Sequence, residues 1–317
     1  MCLTLTAWAG AGCSGPGAVS GTPLAIPVER AAWHSPHFDG QELTSQHYRI
    51  YTTSDSPALR AHLPGFMEAA CQNHLALTGL EDRRWAPMPI YMLRSRDEWA
   101  DLTRTLVGRE ADAYLSIEAG GYCCRGVCVF WDMRGEGTFR VAAHEAMHQF
   151  LHHRLAHNLP VWAEEGLCVA AEGHRIHRDA VTFDPRDNAG RLGDLREALA
   201  GGRWIGLARL LAMDGAQAVA GGSGGAGYYG QLWALVLLVR SRPAYRTGLE
   251  RMLSDAQAGN FHKVLGVPPH AVRELQLRGR IYNQTVSRAL FEHYVSRDLA
   301  KFEEEYAAFA RKMVRLE

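Results

Sequence analysis

The spacing of apolar positions changes along the chain from alternation to a helical period. Tyr48 and Ile50 alternate with polar residues, as on one face of a β-strand, whereas Leu59, Leu63 and Phe66 recur every three or four positions, as on one face of a helix. The same criteria predict strands over residues 47–53, 89–93 and 121–131, and helices over residues 56–77, 96–107, 140–155, 161–172, 195–199, 207–213, 228–240, 245–256 and 284–316.

The order of these elements predicts the fold class and the division of the chain. Every predicted strand precedes residue 132, and the chain beyond residue 192 is helical throughout. This order predicts an α+β fold, with an N-terminal mixed sheet and helices followed by an all-α C-terminal lobe. We expect a leader and flexible lead over residues 1–43, an α+β lobe over 44–180 and a helical lobe over 181–317.

Composition and charge narrow the classes of partner. The chain has 317 residues, of which 47% are hydrophobic and 21% charged, as in an ordinary soluble globular protein. Its formal net charge is zero and it has no long basic run, so nucleic acid and anionic membrane are poor partners. No apolar stretch approaches the roughly 20 residues of a membrane-spanning helix.

The N-terminus resembles a bacterial lipoprotein signal. Residues 1–12 are apolar and end in small residues just before Cys13. The resemblance implies a lipid anchor at Cys13 and export, either to the periplasm or as a membrane-anchored lipoprotein. The segment departs from the pattern because Gly10 stands where a Leu-like residue is usual, and because no Lys or Arg precedes Arg30. A cytoplasmic protein with an apolar N-terminus is the alternative.

Three of the seven cysteines, Cys123, Cys124 and Cys128, lie in the strand predicted over residues 121–131. Adjacent residues of a strand face opposite sides, so these three thiols cannot converge on one metal ion. We therefore interpret them as packing residues.

Residues 144–148 read His-Glu-Ala-Met-His, an HExxH motif inside a predicted helix. Because residues four apart share a helix face, His144 and His148 can direct their imidazoles at one zinc ion. Glu145 is rotated away from that pair and can bind a water on the metal without being a ligand. This arrangement is typical of zinc hydrolases.

The third ligand decides the class of zinc site. His152 continues the series from His148, but it lies eight residues after His144, about 12 Å along a helix, too far for one ion. The metzincin pattern HExxHxxGxxH fails, since Leu151 and Arg154 stand where Gly and His belong.

The next predicted helix carries another element, Pro-Val-Trp-Ala-Glu-Glu-Gly over residues 160–166. It resembles the second signature of the gluzincins, in which a Glu just before Gly completes the zinc site. That resemblance implies Glu165 as the third ligand, 17 positions after His148, in preference to Glu164. The alternative is that Glu164 and Glu165 form a solvated acidic pair favoured by the helix dipole.

A wider resemblance covers residues 48–317. Residues 162–172, residues 228–235 and the pair Gly121-Tyr122 look like the bacterial peptidase MA-like proteins, the domain of unknown function 1570 group. The resemblance implies a thermolysin-like zincin fold, with the HExxH and Glu-Gly helices in the α+β lobe. It implies no particular substrate.

Together these residues predict a gluzincin-type metallopeptidase that cleaves a peptide or protein substrate with a zinc-activated water. Glu145 would serve as general base. Tyr229 is the candidate donor to the oxyanion and Tyr228 the second choice, although both can simply pack on the core. The glycine-rich residues 221–227 would let this helix end adjust over substrate, or form a plain linker. A catalytically inactive zincin-fold scaffold or binding module is the alternative function.

Two further expectations concern the surroundings of the zinc ligands. The strand leading into the HExxH helix, residues 122–131, is expected to form a sheet edge that pairs with the main chain of an extended substrate. Glu172, Asp187 and Asn188 can orient the histidine ligands, although a surface position is the preferred interpretation for each.

Overall fold

The strands of this computed structural model, which describes residues 19–82, 85–118, 120–220 and 224–315, form two sheets. The strands are β1 (Val19–Pro23), β2 (Glu29–His34), β3 (Asp39–Thr44), β4 (Tyr48–Thr52), β5 (Met88–Leu93), β6 (Gly121–Cys124), β7 (Val127–Trp131), β8 (His174–His177) and β9 (Ala180–Phe183). The larger sheet has the order β2-β3-β4-β5-β7-β6, and the smaller has the order β1-β9-β8. Pairs β4–β5 and β5–β7 are parallel and the other pairs are antiparallel, so the larger sheet is mixed.

Helices flank the larger sheet and make up the chain beyond the smaller one. The α-helices are α1 (Pro57–Thr78), α2 (Arg96–Val107), α3 (Ala111–Leu115), α4 (Glu136–Arg154), α5 (Val161–Ala171), α6 (Ala189–Ala200), α7 (Leu207–Ala212), α8 (Gly215–Ala220), α9 (Gly224–Ser241), α10 (Pro243–Ala258), α11 (Phe261–Leu265), α12 (Pro269–Gln276), α13 (Arg280–Tyr294) and α14 (Leu299–Val314). This arrangement confirms the predicted α+β class with a mixed sheet.

The two faces of the larger sheet are covered by different helices. Cys128 and Phe130 of β7 join the core that α1 and α4 contribute to, whereas Val129 and Trp131 join Trp99 of α2 on the opposite face. This division follows from the two-residue period of a strand. Because both faces are covered, β5 and β7 carry nearly continuous apolar runs, which is why their positions could be predicted.

Residues 19–43 correct one expectation, since they contribute β1, β2 and most of β3 rather than a flexible lead. The β2–β3 hairpin is in register from the pair Glu29–Thr44 to the pair His34–Asp39. The side chains of β2 are almost all exposed, so no apolar alternation marks this strand in the sequence. Cys13, the predicted lipid anchor, lies outside the described residues.

A second correction concerns residues 121–131, which form the hairpin of β6 and β7 rather than one strand. Arg125 and Gly126 make its turn with positive φ angles of 51° and 76°. This two-residue turn, with both residues at positive φ, matches the twist of a tight hairpin. Cys123 and Cys128 are therefore cross-strand neighbours, although in a single strand they would lie far apart.

The glycine-rich stretch before Tyr228 was expected to be a loop, but its described part is helical. Residues 224–227 belong to the first turn of α9, and residues 221–223 lie outside the described part. A Cβ added to Gly227 would lie 3.1 Å from Cβ of Ala198, and one added to Gly230 would lie 2.9 Å from the main-chain nitrogen of Leu195. The small residues thus let α9 pack closely on α6.

Helix α5 lies between α4 and α9 and connects the sheet to the helical part of the chain. Gly166 allows α5 to pack this closely on α9, because a Cβ there would lie 2.3 Å from Cγ2 of Val236 on α9. Trp162 and Leu167 are fully buried in the same core. Helix α5 also contacts α4, so the helix with the HExxH motif and the helix with the Glu-Gly element lie side by side.

A buried ion pair joins β4 to α1. Nδ1 of His47, just before β4, donates to Oε2 of Glu68 at 2.6 Å. The main-chain nitrogen of His47 and the hydroxyl of Ser45 both donate to Oε1 of Glu68, at 2.8 Å and 2.6 Å. Burial lowers the pKa of His47, but contacts with Cys71 and Glu68 outweigh it and raise the pKa to about 10.

Within the described ranges, no helix combines the length and apolar character that crossing a bilayer requires.

Candidate metal centre

The two histidines of the HExxH motif lie side by side on α4. His144 and His148 are one helical turn apart, and their ring centroids are 5.1 Å apart. Their side chains are 14% and 18% exposed, so the two rings are largely buried while a path to solvent remains. The two histidines therefore have the one-turn spacing that the motif requires, and they lie in a largely buried position.

Each imidazole is held through its Nδ1 atom by a carboxylate. Nδ1 of His144 donates to Oε1 of Glu172 at 2.9 Å, and Nδ1 of His148 donates to Oε1 of Glu164 at 2.8 Å. A carboxylate accepts only, so in the neutral form of each ring the proton lies on Nδ1 and the lone pair lies on Nε2. This is the tautomer, and the carboxylate support, that metal-binding histidines use.

Glu165 faces both of these Nε2 atoms. Its Oε2 atom lies 3.5 Å from Nε2 of His144 and 3.7 Å from Nε2 of His148. The same oxygen is buried and accepts no hydrogen bond from the residues that the structure describes. Ligands about 2 Å from a tetrahedral zinc ion lie roughly 3.3 Å from one another. The three atoms are therefore arranged to fit a metal ion, which would also satisfy the buried oxygen.

A cysteine that the sequence analysis did not consider lies beside the histidines. Ligand atoms of His144, His148 and Cys168 all lie within 4.8 Å of one another, which makes this group a candidate metal-binding cluster. Cys168 is fully buried on α5, three residues after Glu165. The third ligand is thus contested. Glu165 has an oxygen 3.5 Å and 3.7 Å from the two Nε2 atoms, and Cys168 has its sulfur within 4.8 Å of the ligand atoms of both rings.

Glu172 was expected at the surface, but it is buried and held by several hydrogen bonds. It is 3% exposed, and it receives hydrogen bonds from Arg191 at 2.8 Å and 3.1 Å and from Nδ2 of Asn188 at 2.9 Å. Burial raises the pKa of Glu172, but His144 and Arg191 outweigh it and lower the pKa to about 2. The surface interpretation was therefore wrong for Glu172 and Asn188. Asp187 instead pairs with Arg175.

Glu145 is buried beside the histidines and forms no part of the ligand triangle. It is 8% exposed, and burial raises its pKa, an effect that the neighbouring His144 and His148 partly oppose. A carboxylate with a raised pKa is suited to accept a proton and later release it. The thiol of Cys128 donates to the main-chain oxygen of Glu145 at 3.1 Å and so fixes this turn of α4 against β7.

The two tyrosines at the start of α9 have different surroundings. Tyr228 is fully buried, and its hydroxyl donates to the main-chain oxygen of Met213 at 3.3 Å. Tyr229 is partly exposed, and its ring centroid lies 6.5 Å from that of His144. The structure therefore brings Tyr229, rather than Tyr228, to the histidine pair.

The charges around the two imidazoles favour a cation. Four carboxylates, those of Glu145, Glu164, Glu165 and Glu172, surround the pair, while Arg191 is the nearby guanidinium. Burial lowers the pKa of His144, but the neighbouring carboxylates raise it to about 9. A group of buried carboxylates that holds a proton on an imidazole this strongly also attracts a divalent cation.

The fold and the site together define an α+β protein with a candidate metal-binding cluster between α4 and α5. No protein-family profile, curated protein or solved structure matches the chain. The gluzincin resemblance thus rests on the two motifs and on the geometry that joins them.

Proposed function

We propose that the protein is a zinc-dependent metallopeptidase of gluzincin type with a thermolysin-like fold. One observation carries the proposal: the buried, unpartnered Oε2 of Glu165 faces the Nε2 atoms of His144 and His148. A merely structural cluster would not need Glu145, which lies beside these ligands with a raised pKa.

His144, His148 and Glu165 would hold the zinc ion. When bound, zinc polarises a carbonyl and makes a water molecule more acidic. Glu145 takes a proton from the attacking water and passes it to the leaving amine of the cleaved peptide bond. Tyr229 donates its hydroxyl hydrogen bond to the oxygen on which negative charge develops. Burial raises the pKa of Tyr229, which keeps this hydroxyl protonated and able to donate.

A peptide or protein substrate would lie along β6. This strand is at the edge of the larger sheet, pairs with β7 and contacts α4. An edge strand leaves main-chain N–H and C=O groups available on its outer side, where an extended chain can add as a further strand. The hairpin refines the expected recognition strand to Gly121–Cys124.

An inactive zinc scaffold is a second candidate function, and Cys168 is the observation that favours it. Structural zinc sites are closed by four protein ligands, and Cys168 lies within reach of the histidine pair. A site closed permanently by this thiol would have no position for water.

Metal content and peptide cleavage separate these functions. Purified protein should contain one zinc per chain, and it should cut a broad peptide library in a reaction that Glu145→Gln abolishes without zinc loss. Protein without stoichiometric zinc, and without a thermal shift on adding zinc, would contradict both functions. Zinc-loaded protein that leaves the library uncut would favour the scaffold.

The ligand assignment has its own matched pair of variants. Glu165→Ala should abolish tight zinc binding, because it removes the carboxylate oxygen that faces both Nε2 atoms. Glu164→Ala should keep zinc affinity within about tenfold, because Glu164 contacts only Nδ1 of His148. The reverse order, measured by competition with a chelating dye, would overturn the assignment.

A further inference from the structure

Cys168 lies where a metal held by the two histidines can reach its sulfur. It follows Glu165 by three residues on α5, so both side chains leave the same face of the helix. That face is turned toward α4, and the sulfur lies within 4.8 Å of the ligand atoms of His144 and His148. The unpartnered Oε2 of Glu165 faces the same two histidines.

The chemistry of this donor set matches a closed tetrahedral site. Two imidazole nitrogens, a carboxylate oxygen and a thiolate sulfur are all ligands that zinc accepts, with the Zn–S bond near 2.3 Å. Together they would make up the four protein ligands of a closed site. A fully buried thiol among these groups is therefore more than a packing residue.

We propose that Cys168 is a fourth protein ligand in the resting protein and closes the site until water or substrate takes its place. Closing forms one metal–sulfur bond, releases the thiol proton to solvent and expels the water that occupied the position. Opening breaks that bond, and the sulfur regains a proton from solvent while water returns. No oxidation or reduction occurs. This inference rests on the proposed function, since it assumes a metal at the site.

Cobalt replacement tests the proposal, because a thiolate bound to Co²⁺ gives a sulfur-to-metal charge-transfer band in the near ultraviolet. The full-length wild type loaded with Co²⁺ should show this band at one equivalent of metal. Cys168→Ala should lose it and bind metal at least about tenfold more weakly. The matched control is Cys71→Ala, which removes an equally buried helix thiol of α1 and should keep the band.

X-ray absorption at the zinc edge of the wild type gives a second measurement that needs no variant. A zinc–sulfur distance near 2.3 Å is expected. If Cys168→Ala does not fold, this measurement and the wild-type cobalt spectrum still decide the question.

The outcomes distinguish this inference from the proposed function. Bound cobalt without a charge-transfer band, or zinc without a sulfur neighbour, would overturn the role of Cys168 and leave Glu145-dependent cleavage to be judged separately. A sulfur-bound metal with no cleavage by the wild type or by Cys168→Ala would support the ligand and contradict the peptidase. Protein that binds neither metal would contradict both. With both correct, Cys168→Ala saturated with zinc should turn over faster than the wild type.

Discussion

Replacing Glu172 by Gln should weaken metal binding more than replacing Glu164 by Gln. Each carboxylate accepts a hydrogen bond from Nδ1 of one histidine of the HExxH motif, at 2.9 Å and 2.8 Å respectively. The two negative charges would therefore lie at nearly the same distance from a metal on Nε2. The substitutions are isosteric, and they differ mainly in the surroundings of the charge that they remove.

Burial sets the size of the two effects. The Glu172 side chain is 2% exposed and that of Glu164 is 31% exposed, so water screens the second charge far more. Removing a carboxylate that supports a metal-binding histidine typically lowers metal affinity about 10- to 100-fold, about 1.4 to 2.7 kcal/mol. We expect Glu172→Gln near the upper end of that range. Glu164→Gln should lower the affinity roughly 3- to 10-fold, because exposed charges interact weakly.

Competition for Zn²⁺ between each variant and a chelating dye at neutral pH measures this difference. Glu172→Gln should also lower thermal stability, because Arg191 loses the carboxylate to which it donates two hydrogen bonds. Circular dichroism therefore has to establish that the variant is folded at the temperature of the titration. Equal losses of affinity, or a larger loss for Glu164→Gln, would refute the reasoning from burial.

Three other substitutions probe a tyrosine, a helix contact and a buried ion pair. Tyr229→Phe should lower turnover on the order of a hundredfold at unchanged zinc content. Unchanged initial rates would show that Tyr229 only packs against the core and does not donate to the oxyanion. Gly166→Ala should lower the free energy of unfolding by about 1 to 3 kcal/mol in urea, because the new Cβ would lie 2.3 Å from Cγ2 of Val236. His47→Gln should cost most stability below pH 6.5 and progressively less toward pH 10. Contacts with Cys71 and Glu68 raise the pKa of His47 to about 10, so its charge is lost over that interval. A pH-independent difference would contradict this account.

Local signals explain why several helices could be predicted almost to the residue. Helix α2 has the bounds that the apolar period indicated, with Ser95 accepting from the main-chain nitrogen of Glu98 at its start and Gly108 after its last residue. Helix α1 likewise begins after Ser56 and ends before Gly79, which has a φ angle of 69°. In both cases the capping residues agree with the apolar face, so the neighbouring sequence suffices.

The hairpins depended on information that the apolar pattern does not carry. The β2–β3 pair and the β8–β9 pair are defined by cross-strand main-chain hydrogen bonds, while many of their side chains are exposed. The β6–β7 hairpin had the opposite difficulty, because both strands are apolar and the turn contains only Arg125 and Gly126. Period alone cannot divide such a run, and the positive φ of a non-glycine residue leaves no sequence signal.

The candidate site shows the same division between local and tertiary information. Helix spacing joined His144 to His148, and the Glu-Gly element pointed to Glu165. Arg191 comes from α6, so its hydrogen bonds to Glu172 depend on tertiary structure and could not be assigned from the sequence. The support for the histidines therefore had to come from the structure.

Helix α5 nevertheless carries a local signal that apolar periodicity hides. Glu165, Cys168 and Glu172, which directly follows the last residue of α5, are spaced at i, i+3 and i+7. This spacing places them on one stripe of a helix whose other residues are mostly buried and apolar. Such a stripe needs polar partners, and α4 supplies them as the histidine pair. The spacing of the polar residues in an apolar helix thus points to both Glu172 and Cys168 as candidate site residues. It also gives the reason to test them together, since Glu172 supports an imidazole and Cys168 would bind the metal that this imidazole would hold.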